Sequence, residues 1–85
     1  MIRVTCLGHI GTAVGAREIE LPNEKITARQ IVESMRARSK VSDPGFNIHN
    51  TLVLVDNGEA FVPGATDAMV AEGGRVVLIP ISHGG

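Results

Sequence analysis

Few residues of this 85-residue chain stand at spacings that suggest covalent, acid–base or metal chemistry. The one cysteine, Cys6, falls on the inward side of an apolar run, Ile2-Arg3-Val4-Thr5-Cys6-Leu7, as expected of a small core thiol rather than a nucleophile. His9, His49 and His83 are scattered, and with Cys6 they form no zinc-ligand spacing. No metal site and no cofactor is therefore expected. The glycines of GHIGTAVG, residues 8–15, follow neither the GxGxxG pattern nor the P-loop, which needs Lys and then Ser or Thr after its last glycine. This segment reads as a flexible hairpin turn. Glu18, Glu20 and Glu24 read as a solvated edge, with no acid–base pair among them. The chain is expected not to be an enzyme by itself.

What remains is the last group of residues, Ser82-His83-Gly84-Gly85, following the strand-like run RVVLIPI. The plain reading of two final glycines is a frayed end. The chemical reading starts from the missing Cβ, which lets a backbone pass through a channel too narrow for any side chain. Four extended residues reach roughly 13 Å, enough to deliver the Gly85 carboxylate into the active site of another protein. That group is ionised near pH 7 and is a poor electrophile until activated. Activation as an acyl-adenylate from ATP would let its carbonyl accept sulfur, giving a thiocarboxylate, or an amine, giving an amide.

The elements that position this tail can be read from apolar periodicity. Ile2–Leu7 and Ala16–Leu21 alternate as two strands of an N-terminal hairpin closed by Pro22-Asn23. Thr27-Ala28-Arg29-Gln30 fits a capping box, Ile26 and Ile31 occupy the two positions of a hydrophobic staple, and Ala28, Ile31, Val32 and Met35 form one apolar stripe. A helix is expected over 28–39, ended by turn chemistry at Ser42–Gly45. Thr51–Val55 is a third strand, Asn57-Gly58 a hairpin turn into Ala60–Val62, Val70–Gly74 a short turn, and Arg75–Ile81 the last strand. Alternation in that strand sends Val76 and Leu78 towards the helix. Val77, Ile79 and Ile81 then point to the open sheet face, beside outward Leu7.

Composition limits the classes of partner. Apolar residues make up 44% and charged residues 20%, the balance of a globular domain, and one domain spanning 1–85 with a flexible tail at about 82–85 is expected. A net charge of −1 provides no electrostatic footprint for nucleic acid, and Phe46 and Phe61 are too few for base stacking. The longest strongly apolar run, Val76–Ile81, is far shorter than a membrane span, and the N-terminus lacks the apolar stretch of a signal peptide. A single cysteine fits a reducing compartment. A cytoplasmic location, without direct nucleic-acid or membrane contact, is the expectation.

The helix between two hairpins, the turn Val55-Asp56-Asn57-Gly58-Glu59, the stretch Val70–Val76 and the ending RVVLIPISHGG together resemble the β-grasp sulfur carriers. These include the molybdopterin synthase small subunit, the thiamine-pathway sulfur carrier, and the ubiquitin-related and archaeal modifier proteins. The resemblance covers essentially the whole chain, and the Gly-Gly after a Pro-containing strand is its most specific part. Gly74 departs from it, standing where that family often has Asp, and His83 gives an HGG ending closer to the ubiquitin-related branch.

The resemblance implies an α+β ubiquitin-like fold, a mixed sheet of four to five strands packed on one helix. It implies that Gly85 carries the thiocarboxylate, adenylate or isopeptide, and that Gly84 lets the tail thread. Leu7, Val77, Ile79, Ile81, Ser82 and His83 would contact partners, since a contiguous apolar patch commonly marks a partner site. The implied partners are an ATP-dependent activating enzyme of the ubiquitin-activating type, a sulfur donor protein, and either a sulfur-accepting enzyme or target-protein lysines. Sulfur carrier, ubiquitin-like modifier and non-catalytic interaction module are the three classes that the sequence leaves open.

Overall fold

The computed structural model describes residues 1–39 and 46–81. In chain order the elements are β1 (Ile2–Cys6), α1 (Gly8–Val14), β2 (Glu18–Leu21), β3 (Lys25–Thr27), α2 (Ala28–Arg38), β4 (Thr51–Val55), β5 (Ala60–Phe61), β6 (Met69–Ala71) and β7 (Arg75–Pro80). Five strands form one mixed sheet in the order β2-β1-β7-β4-β5, and β3 pairs with β6 in a separate two-stranded sheet. β7 runs parallel to β1 and antiparallel to β4.

Helix α2 begins as its sequence specifies. The Gln30 N–H donates to Thr27 Oγ1 at 3.1 Å, and the Thr27 N–H donates to Gln30 Oε1 at 3.0 Å, which closes the capping box. Asp67 adds a second cap from far along the chain, its Oδ1 accepting from the Arg29 N–H at 3.0 Å. The stripe Ala28, Ile31, Val32 and Met35 is fully buried. It belongs to one core cluster with Ile2, Val4, Val53, Val76 and Leu78 of the sheet, and Ile26 of the staple is buried in the same cluster. The helix ends at Arg38, with Ser39 extended as its C-cap. The turn expected at 42–45 lies outside the described residues.

Three expectations are corrected. Residues 8–14 form a helix, not a flexible turn. Ile10, Ala13 and Val14 recur at helical spacing and are all buried, packing α1 into the core cluster against β7 and α2. Their burial outweighs the poor helix propensity of the glycines. Gly15 closes the helix in the left-handed region at φ +85°, with its N–H on the Gly11 carbonyl. The sheet system therefore packs on two helices rather than one.

The second correction concerns Val70–Gly74, where Val70 and Ala71 belong to strand β6 and only Glu72–Gly74 turn. The partner strand, β3, is three residues long and its pairing is nonlocal, so no local pattern announced either strand. Third, β2 starts at Glu18 and β7 stops at Pro80, each one or two residues inside the expected bounds.

The proline in a central strand has a geometric reason. The Ile81 N–H donates to the Asn50 carbonyl at 3.0 Å, so antiparallel alternation directs residue 80 away from β4. On that other side β1 has already ended, its last link being the Leu7 N–H to the Leu78 carbonyl at 3.1 Å. Pro80 thus forfeits no ladder bond. It lies instead under the start of α1, where a Cβ on Gly8 would come within 3.0 Å of Pro80 Cγ. Gly8 has φ +55°, so the sharp turn from strand into helix also favours glycine there.

Thr51 is the buried polar residue among those described, and its Oγ1 has no hydrogen-bond partner there, a cost that nothing in the fold explains.

Two substitutions test this packing. Ile31→Ala empties the centre of the helix–sheet core and should lower the unfolding free energy by about 2–5 kcal/mol in urea denaturation. Gly11→Ala should also destabilise, by about 1–3 kcal/mol, because its Cβ would stand 2.7 Å from the Cys6 carbonyl oxygen. On helix propensity alone the same change would stabilise by about 1 kcal/mol, so the sign of the measured shift decides whether α1 is seated on the end of β1.

Candidate functional site

The strand register assembles one face of the large sheet away from the core. Thr5 stands opposite Val77, Leu54 opposite Val77, and Leu52 opposite Ile79. Leu7 follows directly on β1 beside β7. Leu7, Leu52, Leu54, Val77 and Ile79 are each half-buried, whereas their neighbours in the chain Cys6, Val53, Val76 and Leu78 are buried in the core. Charged side chains border this patch on the β2 side: Arg3 lies between Glu20 and Arg75, and Glu18 stands opposite Thr5. The arrangement is an apolar patch bordered by charged side chains along its β2 side.

The expected residues divide into three groups. Leu7, Val77 and Ile79 are brought together on this face. Ile81 lies one step past β7, half-buried and fixed by its N–H to Asn50. Ser82, His83, Gly84 and Gly85 lie outside the described residues. Leu52 and Leu54, which sequence reasoning left out of the patch, supply its β4 side. Their signal was present in Thr51-Leu52-Val53-Leu54-Val55, a strand apolar on both faces, which needs a cover on each. Only the pairing to β7 shows that the second face joins Val77 and Ile79.

The turn before the patch is built by side-chain amides. Asn57 Oδ1 accepts from the Glu59 N–H at 2.8 Å, the Gly58 N–H donates to the Val55 carbonyl at 2.9 Å, and Gly58 sits at φ +88°. This fixes the β4–β5 hairpin, while the register of Leu52 and Leu54 on β7 is set by the β4–β7 pairing itself.

Cys6 takes no part in this surface. It is buried on the core side of β1, and burial pushes its thiol pKa up, away from the reactive thiolate. Among the described residues no group of three His, Cys, Asp or Glu side chains is placed to hold a metal ion. No helix among them is long and apolar enough to cross a membrane.

Similarity to known proteins lies in structure. SAMP1 from Haloferax volcanii superposes with a TM-score of 0.63 at 20% identity, over 99% of this chain and 98% of that one. A protein assigned as molybdopterin converting factor subunit 1 from Pyrococcus furiosus superposes with a TM-score of 0.61 at 18% identity, over 95% and 97%. The fold is the ubiquitin-like β-grasp. No protein-family model matches the chain, and no curated protein matches it in sequence. The near-complete coverage in both directions means that α1 and the β3–β6 pair sit within a chain of the same extent as these two.

The two faces of β7 can be told apart by adjacent substitutions. Ile79→Asp should lower stability by about 1 kcal/mol, within the range of strand-position effects, and retain a cooperative unfolding transition. Leu78→Asp, one residue away, should abolish that transition by burying an unpaired charge. Equal effects in circular-dichroism melts would mean that β7 does not have the two-sided burial described.

Proposed function

We propose that this chain is a sulfur carrier whose Gly85 carboxylate is adenylated by an ATP-dependent activating enzyme and then converted to a thiocarboxylate. The observation that supports this reading most is the position of β7. The central strand of a β-grasp sheet leads, past Pro80 and Ile81, directly into Ser82-His83-Gly84-Gly85, and it presents Val77 and Ile79 on the apolar face at its flank. A partner that grips the patch would hold a rigid body at a fixed distance from the tail.

Each part then has a role. Leu7, Leu52, Leu54, Val77 and Ile79 dock the activating enzyme, with Ile81, Ser82 and His83 continuing the contact towards its active site. Gly84 passes the narrowest point because it has no Cβ. The carboxylate of Gly85 attacks the α-phosphorus of ATP and releases pyrophosphate. Hydrosulfide released by a donor protein adds to the carbonyl of the acyl-adenylate and displaces AMP, so that a C–S bond replaces the C–O bond to phosphate and a thiocarboxylate remains on Gly85. A sulfur-accepting enzyme removes it in a later step. The chain is a substrate and carrier throughout, acting in the cytoplasm.

The same adenylate can be captured by a lysine amine, which would make the chain a protein modifier joined through Gly85. The equal extent of the structural likeness to SAMP1 and to the molybdopterin converting factor subunit favours neither acceptor over the other. Intact mass after incubation with activating enzyme, ATP and a sulfur donor separates them. A gain of about 16 Da marks replacement of oxygen by sulfur; attachment to lysines of other proteins marks conjugation.

Removing Gly84-Gly85 should leave stability within about 0.5 kcal/mol and abolish ATP–pyrophosphate exchange, because the carboxylate then falls roughly 7 Å short. Gly84→Ala, which keeps the length, should fold normally and lose most of the exchange. Activation of the truncated chain at the full rate would remove the carrier reading.

A further inference from the structure

A second surface is built from strand edges rather than a sheet face. The described fold has four of them, on β2, β5, β3 and β6. Exposed edges invite pairing with another chain and are ordinarily blunted by charge, proline or shortness. β2 carries Glu18 and Glu20, β3 carries Lys25, and β5 is two residues long with Pro63 soon after it. β6, Met69-Val70-Ala71, is as short as β3 but has neither a charge nor a proline.

The ladder geometry shows which groups that edge presents. The Ala28 N–H donates to the Ala68 carbonyl at 2.8 Å, and the Glu72 N–H donates to the Glu24 carbonyl at 2.7 Å. Alternation then makes Ile26 and Val70 the bonded pair between them, and turns the backbone N–H groups of Met69 and Ala71 away from β3. On that outward side lies a groove of about 450 Å³ between β6 and the β4–β5 hairpin. Phe61 and Val70 line it, and so does Met69, which is 60% exposed, an unusual condition for a large apolar side chain in this fold. None of the outer-face patch residues borders the groove.

Charge selects the occupant. Asp56, Glu59 and Glu72 line the groove against the single guanidinium of Arg75. Asp56 is fixed there, accepting from the Arg75 backbone N–H at 3.1 Å. Glu72 meets the Met1 amino group at 3.7 Å, but both partners are well exposed and the pair is weak.

We propose that the free edge of β6 binds an extended peptide segment of a partner protein, which adds a strand at Met69 and Ala71. Its apolar side chains lie on Met69 and Phe61, and its lysine or arginine side chains face Asp56, Glu59 and Glu72. Strand addition takes affinity from main-chain hydrogen bonds and specificity from alternate side chains, so the partner's motif alternates apolar and basic residues. This inference is independent of the chemistry proposed for Gly85.

The test is a titration of the ¹⁵N-labelled full chain with the capped hexapeptide acetyl-VKVRVT-amide, followed by amide chemical shifts. Two controls are the same peptide N-methylated at alternate residues and its acidic counterpart, acetyl-VEVDVT-amide. The expected result is a saturable shift of the Met69 and Ala71 amides, with slowed hydrogen exchange, produced by the basic peptide alone. The double variant Glu59→Lys/Glu72→Lys, checked for an unchanged melting temperature, should bind about tenfold more weakly or worse. No saturable shift at β6, an equal response to the acidic or N-methylated peptide, or shifts confined to Leu52, Leu54, Val77 and Ile79 would each overturn the proposal.

Discussion

The pairing of β7 between β1 and β4 is the constraint on which the rest of the molecule depends. Arg75–Pro80 is a late segment of the chain, yet it occupies the middle of the sheet. Its pairing joins residues 3–6 to 75–78 and 51–55 to 76–80, so the large sheet is not continuous until it is in place. Such long-range parallel contacts cost loop-closure entropy before they return any stabilisation. Burial of Val76 and Leu78 against α2 is what offsets that cost.

Because a strand alternates, fixing the inward pair also fixes the outward one. Val77 and Ile79 are placed on the opposite face by the same backbone that drives Val76 and Leu78 into the core. The apolar outer surface is thus a by-product of core packing in its position, though not in its composition, since alternation sets only which way each side chain faces. Leu52 and Leu54 reinforce the point from β4, where apolar residues again stand on both sides of the sheet.

The glycines divide by purpose. Gly8, Gly15, Gly58 and Gly73 take positive φ and serve turns and caps, while Gly11 has a different task, permitting α1 to rest on the Cys6 carbonyl. This close approach is what allows residues 8–14 to be a helix packed into the core rather than a loop.

What the sequence determined by itself is what short-range chemistry controls. The capping box at Thr27–Gln30, the stripe Ala28-Ile31-Val32-Met35, the Asn57-Gly58 turn and the alternation through β1, β4 and β7 each rest on contacts within a few residues. They sufficed for the α+β class, the main helix and the facing of Cys6, Val76 and Leu78. The tertiary structure alone decided the remainder. GHIGTAVG became a helix because Ile10, Ala13 and Val14 found a core to enter, against the preference of its glycines. β3 and β6 exist only as each other's partners, more than forty residues apart, and Pro80 is tolerated only because β1 ends beside it. The Leu52–Leu54 side of the patch required a register, and the open edge of β6 required knowing which N–H groups β3 leaves unused. A pattern within one segment reports which way its side chains face. Which other segment they meet is a property of the packed chain.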